Sequence, residues 1–90
     1  MDKALKFCVK RIYKLDGDGN TKAFVDLSID ESLLIKGLRI VEGKKGLFVS
    51  MPREQGKDNQ WYDTIRPLNK EIKQEISTIV LSAYEKEVKI

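Results

Sequence analysis

Histidine is absent from this 90-residue chain, and Cys8 is its only cysteine. The first absence removes the commonest general base and metal ligand. Together they leave no material for a zinc site or for a Ser/His or Cys/His nucleophile pair. A lone cysteine cannot form an internal disulfide, which fits a reducing, cytoplasmic home. No apolar run approaches the roughly 20 residues that span a bilayer. Lys3, Lys6 and Lys10 interrupt the opening MDKALKFCVKR, unlike the apolar stretch of a signal peptide. Repeats, linkers and low-complexity tracts are missing too. The expectation is one domain over residues 1–90, with no membrane segment, no cofactor and no metal. At this length a chain buries only about 60 to 65% of its unfolded surface, which favours a partner subunit.

Alternation is what the chain does have. Leu5, Phe7 and Val9 alternate with Lys6, Cys8 and Lys10, the period-2 pattern of a half-buried strand. Ile12, Tyr13 and Leu15 fall out of phase, and a bulge near Arg11 restores it. Asp16-Gly17-Asp18-Gly19-Asn20 reads as a hairpin turn. As a calcium loop it fails, with Thr21 where a sixth-position Gly belongs and Leu27 where a twelfth-position Glu belongs. Lys22 to Ile29 is a second strand with Ala23, Val25, Leu27 and Ile29 on its core face. Leu33 to Glu42 is a third, apolar on both faces and hence expected to be central and covered on both sides, with Gly37 marking a bulge. Leu47 to Met51 follows after a Glu42-to-Gly46 hairpin, and Pro52 stops it. A charged loop then leads to a short Trp61–Ile65 element.

Asn69 suits a helix N-cap. From there to about Glu87, Ile72, Ile76, Ile79, Val80 and Ala83 recur at helical spacing on one stripe. The fold class is therefore α+β: a small antiparallel sheet of four to five strands spanning about residues 3–65, followed by a C-terminal helix, about 69–87, packed on it. One helix leaves much of such a sheet open, so a homodimer is expected. Leu81, Tyr84 and Val88 lie to the side of the core stripe and read either as a flank with a fraying end or as a dimer or partner seam.

The net charge is +3, and most of its excess sits in the middle of the chain: residues 31–68 carry seven basic and five acidic side chains, residues 1–30 six and five, residues 69–90 four of each. Lys44, Lys45, Arg53, Lys57 and Arg66, with Arg39, come from turns and loops that can converge on one rim and displace counterions from a phosphate backbone; the bland alternative is a set of solvated turn cations. Trp61 is expected in the core, with base stacking as its functional alternative. No second carboxylate accompanies Asp63 in a catalytic arrangement, so an enzyme is not expected.

The segments GLFVSMP (46–52), WYD (61–63) and RPLN (66–69) closely resemble the stage V sporulation protein G (SpoVG) or septation protein family, whose hallmarks are a GLFVAMP strand, a variable loop, an aromatic-x-Asp turn and an H-P-I-N helix entry. The resemblance implies a dimeric bacterial regulator of the cytoplasm that binds DNA, with RNA as a second class, and influences septation and sporulation. It places nucleic-acid contacts on Arg53 and Lys57 in the loop, Arg66 at the helix entry, and Lys70 and Lys73 in the first helical turns. Two departures shift the expected weight toward the loop and Arg66. Arg66 replaces the usual histidine, and this helix is charge-balanced. The alternative is a protein-interaction module of the division machinery that uses a sheet edge or the Leu81, Tyr84, Val88 seam.

Overall fold

The computed structural model describes residues 5–15, 17 and 19–88. Four strands, β1 (Phe7–Lys14), β2 (Thr21–Ile29), β3 (Leu33–Gly43) and β4 (Gly46–Ser50), form an antiparallel meander in the order β1-β2-β3-β4. The expected bulge in β1 is present: pairing with β2 skips Lys10, between Val9 opposite Leu27 and Arg11 opposite Asp26. Gly37 marks a second bulge. Leu27 pairs with Ile35 and Val25 with Leu38, so Lys36 and Gly37 together face Asp26, and Gly37 takes φ +92°, a conformation glycine adopts without strain.

Turn chemistry sets the register of the β2–β3 hairpin. Asp30 and Glu31 both hold positive φ, at 53° and 56°, and the Ser32 amide donates to the Ile29 carbonyl at 2.9 Å. Positive φ at both central positions matches the twist of the flanking strands. This turn is fastened to β1: Asp30 accepts from the Lys6 amide at 2.8 Å, and Glu31 pairs with Lys10 at 2.7 Å. That pair holds the Glu31 carboxyl below its ordinary range and raises Lys10. The Asp16-to-Asn20 turn lies partly outside the described residues.

Helix α1 (Lys70–Val88) begins where Asn69 predicts, since the Ile72 amide donates to Asn69 Oδ1 at 2.8 Å. Replacing Asn69 with alanine orphans that amide and should cost about 1 kcal/mol, read as a fall of roughly 4 to 8 °C in a thermal melt. An unchanged midpoint would show that the cap carries no weight. Ile76 and Val80 of the helix stripe complete a buried cluster with Ala23, Val25, Leu27, Leu38 and Ile40 from β2 and β3.

Only one face of the sheet is covered. A single helix packs on one face of a sheet and leaves the opposite face without a layer. Strand β3 is internal as expected, but it is not covered on both faces: Leu34, opposite Ser28 on the helix-free face, is 52% exposed. The segment after Pro52 also differs from a plain loop. Arg53–Gln55 (β5) and Trp61–Asp63 (β6) form a separate two-stranded hairpin, so the main sheet stops at four strands. The base of this hairpin is anchored by the Pro52 carbonyl, which accepts from both the Thr64 amide (3.0 Å) and the Thr64 hydroxyl (3.2 Å).

Candidate nucleic-acid interface

The β5–β6 hairpin is built from its turn. The Asn59 amide donates to the Gly56 carbonyl, Asn59 sits at φ +63°, and the Gly56 amide closes onto the Gln60 carbonyl at 2.8 Å. Asp58 braces the far side by accepting from the Gln60 amide at 3.1 Å and from the Tyr62 hydroxyl at 2.6 Å. A Cβ at Gly56 would come within 2.8 Å of the Tyr62 ring and 2.9 Å of Asp58 Oδ1, so a larger residue there would shift the side chains that brace the turn. The Tyr62 hydrogen bond, with the Gln60 amide second, holds the Asp58 carboxyl below its ordinary range, and the same bond raises the Tyr62 phenol. The depressed carboxyl stabilises the hairpin above its unfolded pKa, and that contribution is lost as pH falls through the lowered folded value. The raised phenol contributes below its unfolded pKa and loses that contribution as pH rises through the raised folded value. In Tyr62→Phe the Asp58 carboxyl should move up toward the ordinary carboxylate range in a 13C-detected titration; a stationary midpoint would show that the phenol does not set it.

Strand alternation decides what faces what. Arg53 lies opposite Asp63 and Gln55 opposite Trp61, so these four side chains share one face of the hairpin. Asp63 stands between two guanidinium groups: its Oδ1 is 3.2 Å from Arg53 Nε and its Oδ2 is 3.8 Å from Arg66 Nε. Both pairs use Nε, while each guanidinium carries four further N–H donors on its terminal nitrogens. Arg66 is the more open of the two, its side chain 72% exposed.

The two arginines, Asp63 and Lys73 line one open groove of about 650 Å³ between the outer side of β4, the hairpin and the first turns of α1. Phe48, Ser50 and Ser77 also border it. Three cations against one carboxylate leave the groove with a net charge of +2. Of the residues singled out in the sequence, Arg53, Arg66 and Lys73 are thus brought together. The others are placed elsewhere. Lys44 and Lys45 sit on the β3–β4 turn beside Phe48, Lys57 is exposed at the hairpin tip, and Lys70, also exposed, does not line the groove. Leu81 and Tyr84 are half-buried against the core, and the Val88 side chain lies outside the described residues. Trp61 is 56% exposed rather than core, because the hairpin that carries it has no layer packed across that face. Sequence reasoning missed Asp63 as the bridge between the arginines. Its signal was the spacing of Asp63 and Arg66, three residues apart, but the pairing with Arg53 needs the hairpin.

A four-stranded sheet with one helix, a separate hairpin and a cationic groove between them define a small α+β domain. The chain belongs to the SpoVG family, which it matches over residues 6–86. It is 43% identical over 77 residues to a protein of Archaeoglobus fulgidus named "Putative septation protein SpoVG", covering 86% of this chain and 91% of that one. Proteins of the same name from Staphylococcus saprophyticus and Staphylococcus aureus are 41% and 39% identical over 75 residues, each spanning 83% of this chain and about three quarters of its own length. No helix among the described residues is long and apolar enough to cross a membrane.

Proposed function

We propose that this protein is a dimeric, cytoplasmic nucleic-acid-binding regulator linked to septation and sporulation, and not an enzyme. The observation that carries the reading is the convergence of Arg53, Arg66 and Lys73 on one groove with a single carboxylate among them. Phosphate oxygens suit this groove: guanidinium N–H donors recognise them bidentately, and Lys73 adds a point charge. The names of the relatives support the link to septation. Dimerisation is supported by Leu33 and the 95% exposed Leu68, open apolar side chains that lie outside the groove. Two copies would set two grooves along one duplex or strand, with DNA the first target and RNA the second.

One observation favours a second reading, a protein-interaction module of the division machinery. An apolar pocket of about 290 Å³ opens beneath residues 65–69, next to Leu68. Salt separates the two readings. With about four phosphate contacts, log affinity for a labelled oligonucleotide falls against log salt with a slope of about −3.6. Anisotropy titrations of DNA and RNA at two salt concentrations should show that fall. No binding at low salt, together with a protein partner retained at high salt, would replace the first reading with the second.

A further inference from the structure

We propose that the helix-free face of the sheet is a base-stacking platform for single-stranded nucleic acid, continuous with the Arg53, Arg66 and Lys73 groove. This rests on the nucleic-acid reading of that groove and specifies its ligand. The pairing register lines up one row across all four strands: Tyr13 opposite Phe24, Phe24 opposite Arg39, and Arg39 opposite Ser50. Phe48 lies two residues from Ser50 on the same face. Tyr13, Phe24 and Phe48 are 47%, 38% and 49% exposed. Three open rings on one flat face are a cost in water and a surface for unpaired bases, whose π-faces stack on them whatever the sequence.

Charge on this face suits the same ligand. The Arg11 guanidinium lies over the Tyr13 ring, 5.4 Å from its centre, so at that end of the row a base stacks on the guanidinium plane or takes its place on the ring. Arg39 lies between Phe24 and Ser50 in the row; of the carboxylates on this face, Asp26 is buried and Glu31, beside Ser28, is paired with Lys10. Phe48 and Ser50 belong to both the face and the border of the groove, so a strand whose phosphates lie on the groove cations can lay its next bases on the rings. A duplex cannot do this, because its base faces are already stacked on each other. The occupant is therefore a single strand rather than a helical duplex.

The test is anisotropy of a labelled single-stranded oligonucleotide and of its duplex with the full chain, its Tyr13→Ala/Phe24→Ala form and its Phe24→Leu form, each checked by circular dichroism and sedimentation. Phe24→Leu keeps the apolar bulk and removes only the ring. The expected result is a loss of roughly tenfold or more in single-strand affinity for the double variant, a smaller loss for Phe24→Leu, and duplex affinity within about twofold. Single-strand affinity unchanged in both variants, with binding by the original protein intact, overturns the platform and leaves the groove standing. A change of oligomeric state in the folded variants also overturns it, since a second copy would then be covering this face. No binding of any oligonucleotide by the original protein overturns the groove reading and the platform with it.

Discussion

Replacing Arg53 and Arg66 together with alanine should weaken oligonucleotide binding roughly hundredfold at low salt, as two charge-assisted contacts of about 1.5 kcal/mol each are lost. The slope of log affinity against log salt should flatten by about 2, one unit for each phosphate contact removed. The geometry makes the pair act together, because both guanidinium groups share the Asp63 carboxylate. Without them the groove keeps Lys73 against an unpaired Asp63, and its net charge falls from +2 to zero. A loss common to all sequences identifies phosphate contacts; a loss confined to a preferred sequence identifies base contacts. Removing Lys44 and Lys45, which lie outside the groove, should have a smaller effect. If the arginine variant bound as tightly as the original, the groove would not be the site.

Leu38→Ala should lower the melting temperature by roughly 12 to 24 °C, from a cavity cost of about 3 kcal/mol. Leu38 is fully buried where β3 meets β2, opposite Val25, in the cluster that Ile76 and Val80 close from the helix side. A domain of this length has a total stability of about 5 to 13 kcal/mol, so this one truncation removes a large share. Leu34→Ala, on the same strand but more than half exposed, should stay within about 0.5 kcal/mol. Equal effects at the two positions, measured by circular dichroism melts, would contradict the one-sided core.

The local geometry of the chain was legible where a short-range rule acts alone. The bulge before Arg11 showed as a break in alternation, Gly37 as a glycine inside a strand, and Asn69 as a side chain suited to the first free helical amides. What escaped depends on which layers exist. A strand apolar on both faces signals two covers, but this molecule has one helix and leaves Leu34 open on the other face. Trp61 reads as core only if something packs over it, and the β5–β6 hairpin stands apart from the main sheet. That hairpin was hidden because Arg53–Gln55 and Trp61–Asp63 are three residues each, too short for a period to show, and only the Asp58-Asn59 turn chemistry hinted at it. The cations were legible as a set. Their division between groove, hairpin tip and β3–β4 turn was not, because it follows from the folding of that hairpin against β4 and α1.

The most direct test of the groove as the nucleic-acid site is an NMR titration of arginine side-chain Nε–Hε resonances with a short oligonucleotide at low salt, assigned by single Arg-to-Lys substitutions. The expected result is progressive, saturable shifts of Arg53 and Arg66 that disappear as salt is raised. Saturable binding that left both resonances in place would contradict it.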